Sequence, residues 1–180
     1  MAHALAGKHI LMVIAQNDFR DEELLTPKAL FEDAGAQVTV AANAPGTCTG
    51  MLGATVQASL AVRDAQAANY HALVIPGGGG SPKYLWHNKD LHDLIHAFRN
   101  SGKQTHAICL SPAVLAIAGV LKGKRATVYA TPESKAAFEQ AGATYIDEPV
   151  VTDGDLVTGR DPDAAQAFGE RVVQMLANAG

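Results

Sequence analysis

The sequence predicts one α/β domain with a mostly parallel sheet and helices on both of its faces. Continuous apolar runs, which strands buried on both faces require, alternate with segments of helical periodicity along the whole chain. No linker, repeat or low-complexity stretch interrupts them, and 180 residues is close to the length of a single domain. This alternation is typical of βαβ units, whose strands pair in parallel.

The predicted strands follow apolar runs that end at turn residues. The clearest are 9–15 (HILMVIA) and 71–75 (HALVI), and the second is stopped by Pro76 and four glycines. The segment TDGD at 152–155 predicts a hairpin between the last two strands. The stretch 43–53 is rich in Gly, Pro and Thr and predicts a loop, followed by short extended segments near 55–59. Further strands are predicted at 37–42, 104–108, 125–130, 144–146 and 150–152.

The predicted helices carry apolar residues at intervals of three and four. The first, 22–34, ends at Gly35, a residue that favours a helix end. The helix at 90–100 is amphipathic, with an apolar stripe that includes Leu91 and Phe98. The remaining helices are predicted at 110–118, 132–141 and 163–177.

Composition excludes several classes of protein. Hydrophobic residues make up 48% of the chain, which excludes an intrinsically disordered protein. The net charge of −4 and the lack of a basic patch argue against a nucleic-acid partner. No apolar run approaches the ~18 residues of a membrane span, and the N-terminal residues do not resemble a signal peptide. Two cysteines are too few for a thiolate zinc site, so we expect a cytoplasmic protein with no metal or cofactor.

The chemistry is expected just after residues 15, 75 and 108, because ligands of such folds bind beyond the carboxyl ends of the strands. Cys109 follows the strand 104–108 and precedes a helix, with small residues, Ala107 and Ser111, on either side. This pattern is typical of a nucleophile elbow. A helix N-terminus would lower the pKa of the thiol and favour the thiolate. The alternative is a buried structural cysteine.

The four glycines after residue 76 indicate a structural or functional requirement, because consecutive glycines lose much conformational freedom on folding. One interpretation is an oxyanion hole built from the N–H groups of Gly78, Gly79 and Leu110. The alternative is a plain flexible turn. A nucleotide loop fits poorly, since no Gly-Lys-Ser/Thr sequence follows.

Four acidic residues lie between residues 18 and 23. Asp21 and Glu22 suit the first turn of the coming helix. Glu23 precedes two leucines and can point inward, where Cys109 would be its partner.

Other candidates carry weaker signals. His92 and His96 are one helical turn apart, as in zinc helices, but they flank the apolar stripe and lack a third ligand. His106 should face away from Cys109, because the two are an odd number of residues apart along a strand. Cys48 is expected to be exposed in a loop. Tyr129 can reach the pocket with its hydroxyl or pack as strand tyrosines usually do.

Three segments together resemble the DJ-1/PfpI superfamily, the flavodoxin-like relatives of class I glutamine amidotransferase domains. These segments are Ala-Ile-Cys109, Pro76-Gly-Gly78 and a Glu four residues before a proline, here Glu23 and Pro27. The resemblance covers nearly the whole chain, to Leu156-Val-Thr-Gly-Arg160-Asp-Pro162. It implies a flavodoxin-like three-layer sandwich, a reactive Cys109 hydrogen-bonded by Glu23, an Arg160 near the pocket or dimer contact, and a homodimer.

The chain departs from the family pattern where a histidine is expected. PfpI-type peptidases and their glyoxalase-active relatives place a histidine directly after the cysteine, where this chain has Leu110. The DJ-1 branch has a histidine in the strand after the elbow helix, where this chain has Tyr129. The hexameric peptidases take a glutamate from a neighbouring subunit after the glycine loop, and this chain has Pro82-Lys83 there. A Cys-His-Glu peptidase triad is therefore poorly supported.

The resemblance implies a stress-related enzyme that acts on small reactive carbonyls, as a glyoxalase or deglycase, through Cys109 and Glu23. Two alternatives stay open. One is a non-enzymatic redox sensor or chaperone-like protein with an oxidisable Cys109. The other is an amidase, peptidase or isonitrile-hydratase-like hydrolase that uses the same thiol.

Overall fold

The computed structural model describes residues 3–179. Its α-helices are α1 (Asp21–Asp33), α2 (Ser81–Tyr84), α3 (Lys89–Asn100), α4 (Pro112–Ile117), α5 (Pro132–Ala141) and α6 (Ala165–Asn178). Its strands are β1 (His9–Val13), β2 (Asn17–Phe19), β3 (Gln37–Ala42), β4 (Gly46–Gly50), β5 (Thr55–Ala58), β6 (Leu60–Ala61), β7 (Ala72–Ile75), β8 (Gln104–Ile108), β9 (Arg125–Ala126), β10 (Thr144–Tyr145), β11 (Val150–Asp153) and β12 (Leu156–Gly159).

Within the described residues, the main sheet has seven strands in the order β11-β12-β8-β7-β1-β3-β6. Every neighbouring pair is parallel except β11 and β12, which form the antiparallel hairpin predicted at 152–155. The central strands β1, β7 and β8 are almost entirely buried, as the apolar sequences of β1 and β7 predicted. The predicted α/β class with a mostly parallel sheet is confirmed.

Two groups of helices flank this sheet. Helix α1 packs against α6, and α6 also contacts β12 and β8. Helices α3 and α4 contact each other, and both contact β8. The apolar core between the layers includes the phenylalanines of α1, α3 and α6. None of the helices within residues 3–179 combines the length and the apolar character needed to cross a membrane.

The prediction of a loop at 43–53 was wrong in part, because this segment contains β4. This strand pairs with β5 in antiparallel fashion and with the short β2 in parallel fashion. Alternation along β4 turns Cys48 inward, so the cysteine expected to be exposed is fully buried. The predicted strand at 125–130 is confined to its first two residues. After β9, Thr127 N–H donates to the Thr158 hydroxyl at 2.9 Å, and Tyr129 N–H donates to the Cys109 carbonyl at 2.7 Å.

Candidate active site

The carboxyl ends of β1, β7 and β8 lie side by side and open onto one cavity of about 480 Å³. This volume lies within the range that small-molecule sites usually have. The cavity is lined by Arg20, Met51, Gly78, Gly79, Cys109, Leu110, Tyr129, Asp161, Pro162 and Asp163.

Cys109 lies at the sharp turn between β8 and α4 that its sequence predicted. Its φ angle is 66°, in the left-handed region that side chains rarely adopt. Hydrogen bonds hold this conformation, since Cys109 N–H donates to the Gly159 carbonyl at 2.9 Å and Ser111 N–H donates to the Ile108 carbonyl at 3.2 Å. Strain of this kind persists only where surrounding contacts enforce it, and it is concentrated at functional sites.

The glycines after Pro76 are required because the chain passes very close to this turn. A Cβ at Gly77 would lie 2.7 Å from the Ile108 carbonyl oxygen and 2.8 Å from the Cys109 Cβ. A Cβ at Gly78, whose φ is 106°, would collide with the backbone nitrogen of Arg20. Close packing therefore requires glycine at both positions, at Gly77 against the elbow and at Gly78 against the backbone of Arg20.

Glu23 points from α1 into the protein and is fully buried beneath the cavity. Its Oε1 accepts a hydrogen bond from Gly77 N–H at 2.9 Å, and its carboxyl group lies near enough to the Cys109 thiol for each group to affect the pKa of the other. Oε2 has no hydrogen-bond partner in the described part of the chain. Burial raises the pKa of Glu23 from 4.5 to about 7, and the neighbouring Cys109 thiol and Gly77 N–H limit that rise.

The Cys109 thiol does not have the lowered pKa that the sequence predicted. Burial, together with the charge of Glu23, raises its pKa, and hydrogen bonds from the N–H groups of Gly78 and Leu110 oppose this rise. The sulfur-bearing residue is only 5% exposed, and α4 has only 6 residues, so its macrodipole is weak. The resting pair therefore consists of a thiol beside a carboxyl group that titrates near neutral pH.

Two of the predicted oxyanion-hole donors, the N–H groups of Gly78 and Leu110, lower the pKa of the Cys109 thiol. Gly79 N–H donates to the Met51 Sδ at 3.2 Å. A bound oxyanion would have to draw one or more of these donors away from sulfur acceptors.

Two buried hydroxyl groups fasten the glycine loop to the elbow. Ser111 Oγ donates to the Pro76 carbonyl at 2.7 Å, so the 2.9 Å contact between the two serines has the Ser81 hydroxyl as donor. The sequence had assigned Ser111 only a small size. Its hydroxyl also determines how closely the loop approaches Cys109.

Cys109 therefore lies strained on a strand-to-helix turn, with the buried Glu23 beneath it and Gly77 packed against it. The DJ-1/PfpI family model matches residues 8–175. The chain belongs to the DJ-1/PfpI family.

Similar proteins extend over almost the full length of this DJ-1/PfpI chain. An uncharacterized protein of Methanocaldococcus jannaschii is 48% identical over 167 residues, which cover 93% of this chain and 82% of the relative. A Pyrococcus abyssi protein named a deglycase is 32% identical over 166 residues, covering 92% of this chain and 98% of the relative. The crystal structure of a ThiJ/PfpI domain protein from Brachyspira murdochii has a TM-score of 0.89 and 28% identity, covering 94% and 96% of the two chains.

This DJ-1/PfpI site contains no histidine among the residues that line its cavity. His106 is buried and faces away from Cys109, as strand alternation predicted, with Nδ1 accepting from Val157 N–H at 3.0 Å. His92 and His96 each bond a backbone carbonyl. Within residues 3–179, no three His, Cys, Asp or Glu side chains are grouped as a metal site would require.

Of the two possible pocket residues, Tyr129 lines the cavity and Arg160 does not. Tyr129 is 47% exposed at the mouth. Arg160 forms ion pairs with Asp147 at 3.3 Å and Asp161 at 3.0 Å, and so it acts on the cavity only through Asp161.

Sequence reasoning missed Met51 and the acidic wall formed by Asp161 and Asp163. The run Arg-Asp-Pro-Asp at 160–163 signals a helix start, and Asp161 does cap the turn that leads into α6 by accepting from Ala164 N–H at 3.1 Å. No local pattern points to Met51, because the β4–β5 turn brings it to the site. Trp86, which follows α2, lines a separate groove of about 730 Å³ beside α4 and α5.

Proposed function

We propose that this DJ-1/PfpI protein is a cysteine-dependent enzyme that acts on small reactive carbonyls, as a glyoxalase or a deglycase. The observation that carries the proposal is the buried Glu23 carboxyl group beside Cys109, which lines a ligand-sized cavity. Relatives about one-third identical to this chain are named deglycases, which supports the same reaction class.

The first step is addition of the sulfur to the carbonyl carbon. A new S–C bond forms while the C=O π pair moves to oxygen, and the thiol proton passes to the Glu23 carboxylate. Glu23 then returns the proton to the oxyanion, which gives a neutral hemithioacetal. A base with a pKa of about 7 suits this shuttle, because it accepts and releases a proton readily at neutral pH.

With a 2-oxoaldehyde such as methylglyoxal, the hemithioacetal can continue to a 2-hydroxy acid. Glu23 removes the hydrogen on the former aldehyde carbon as a proton and delivers it to the neighbouring carbon, which yields a thioester. Water cleaves the thioester to lactate and restores the thiol. The sequence is an internal redox isomerisation and needs no external oxidant or reductant.

We expect the reaction to be slow. No histidine lines the cavity in the described part of the chain, and the lack of a positioned histidine commonly lowers a rate by ~10²–10⁴. Burial of the thiol and its raised pKa also do not favour the alternative of a peroxide sensor, because oxidation by peroxide follows thiolate character and exposure.

The decisive experiment replaces Cys109 by Ser and follows methylglyoxal loss and lactate formation. We expect turnover by the wild type and none by C109S. The matched control is C48A, which removes the other buried thiol and should retain activity. Equal rates for wild type and C109S would refute the proposal, and selective addition of two oxygens to Cys109 by mild peroxide without carbonyl turnover would favour the sensor.

A further inference from the structure

The Met51 thioether accepts a hydrogen bond from a backbone N–H group that the proposed reaction needs. Gly79 N–H donates to Met51 Sδ at 3.2 Å, and both residues line the cavity that contains Cys109. The N–H groups of Gly78 and Leu110 lower the pKa of the Cys109 thiol and so favour negative charge on its sulfur. Gly79 N–H is bonded to Met51 instead, so a substrate oxygen can take this donor without loss to the sulfur.

The backbone of Met51 is held firmly, so its side chain is the part that can move. Met51 N–H donates to the Phe19 carbonyl at 2.9 Å. The Asp21 carboxylate accepts from Leu52 N–H at 2.9 Å and from Ala54 N–H at 2.8 Å, which fixes the turn between β4 and β5. The Met51 residue is 46% exposed, and an unbranched methionine side chain adopts many rotamers.

We propose that Met51 is a specificity-determining gate, whose sulfur occupies the position of the substrate oxygen until a carbonyl displaces it. This inference rests on the proposed function. A thioether is a weak acceptor, whereas a developing oxyanion is a strong one, so the exchange favours the substrate as negative charge grows on its oxygen. Displacement of the side chain also opens the space that the substituent of a larger carbonyl needs.

Met51 would act in two ways, through its sulfur as an acceptor for Gly79 N–H and through the bulk of its side chain. Two variants distinguish these effects. M51L keeps the bulk of the side chain but has no acceptor for Gly79 N–H. M51A removes both the acceptor and the bulk. We expect both variants to raise kcat/KM for methylglyoxal by roughly three- to tenfold, the range of one net hydrogen bond. Only M51A should raise the ratio of kcat/KM for phenylglyoxal to that for methylglyoxal.

The matched control is L52A. Leu52 is the neighbouring residue in the same turn, is 64% exposed and does not line the cavity, and its N–H bond to Asp21 does not depend on its side chain. L52A should leave both the methylglyoxal rate and the substrate ratio unchanged. A methylglyoxal rate in M51A and M51L at or below that of wild type would overturn the gate, as would a substrate ratio in M51A equal to that of wild type.

A second measurement reads the contact without any turnover. In ¹H–¹⁵N spectra, the Gly79 amide should shift in M51L and M51A, because it loses its acceptor, and should not shift in L52A. An unshifted Gly79 amide in M51L would overturn the inference even if rates changed. Failure of the wild type to consume any carbonyl would refute the proposed function, and the amide spectra would then show separately whether Met51 engages this donor.

Discussion

Cys109 and Glu23 are both buried, and a proton can pass between their side chains. Each side chain is removed from water, which disfavours its charged form and raises its pKa. Above pH about 7 the pair carries a single negative charge, which resides on the carboxylate, and below it both groups are protonated. In the proposed reaction the charge moves to the sulfur only as the S–C bond forms.

The pH dependence of the rate follows from this arrangement. Because the attack needs Glu23 as a carboxylate, kcat/KM for methylglyoxal should rise with pH through about 7 and level off above it. E23Q should lower the rate by ~10²–10⁴ and abolish this rise. E22Q is the control, since Glu22 pairs with Arg20 at 3.1 Å on the partly exposed side of α1. A rise through pH 7 that persists in E23Q would assign the base elsewhere.

The same carboxyl group should make folding stability depend on pH. The folded-state pKa of about 7 lies above the ordinary 4.5, so the stability that protonated Glu23 contributes is complete below pH 4.5 and is lost as pH rises through 7. E23Q keeps a neutral group at this position. The unfolding free energy of E23Q, relative to that of wild type, should therefore increase as pH rises, by up to ~3 kcal/mol. Urea titrations at pH 4.5 and pH 8 measure the change, and a constant difference would contradict it.

Asp21 joins two elements that are 30 residues apart in the chain. The sequence predicted an acidic first turn for α1, and the helix does begin at Asp21. Its carboxylate also accepts the two N–H groups of the β4–β5 turn. Hydrogen bonds to a charged acceptor are stronger than neutral ones, so this side chain positions the turn that presents Met51.

Loss of that carboxylate should destabilise the protein. D21A leaves two N–H groups without their acceptor, and we expect unfolding free energy to fall by about 2–4 kcal/mol in urea titrations. D21N retains one acceptor and should lose roughly half as much. D33A is the control, because Asp33 is an exposed residue at the other end of α1. A D21A protein as stable as D33A would show that the turn is held by its other contacts.

The elements that sequence reasoning found are those whose signal is local. Strands β1 and β7 are continuous apolar runs, and α1 and α3 have apolar residues at helical spacing with ends near those predicted. The three-residue strand β2 escaped prediction because its partner β4 lies about 30 residues further along the chain, where Phe19 pairs with Gly50. The helix α2 is a single turn, too short to show a period.

The residues of the candidate site likewise divide into those that sequence patterns located and those that they did not. Cys109, Glu23 and the glycine loop follow strand ends or helix starts, so sequence position alone brought them together. Met51 reaches the cavity only through the turn held by Asp21, and no sequence pattern encodes that path. The direction of the Cys109 pKa was wrong because burial and the distance between two side chains, which a sequence does not reveal, outweigh a short helix.

At the scale of the whole molecule, His106 is a structural residue that joins the C-terminal hairpin to the sheet. Its Nδ1 accepts from Val157 N–H at 3.0 Å, and its Nε2 bonds Gln104 Oε1 at 2.8 Å, so the neutral ring satisfies both partners. Complete burial lowers its pKa from 6.5 to about 3, and Arg99 adds to that effect while Asp155 opposes it.

The stability that His106 contributes should depend on pH in the opposite sense to that of Glu23. A lowered folded-state pKa means that the contribution is complete above pH 6.5 and is lost as pH falls toward 3. H106N removes this titration. The stability advantage of wild type over H106N should therefore shrink between pH 7 and pH 4, as thermal melts at matched ionic strength can show. An advantage that grows on acidification would mean that the ring is already charged.

Cys109 is anchored to the C-terminal hairpin as well as to its own strand. Cys109 N–H donates to the Gly159 carbonyl, at the end of a hairpin that pairs with β8 at Thr158–Ala107 and Gly159–Ile108. Local unfolding of this hairpin would break this hydrogen bond of Cys109 while β1 and β7 stay intact. The Cys109 amide should then undergo hydrogen exchange together with the hairpin, and gentle warming should inactivate the protein reversibly before it melts.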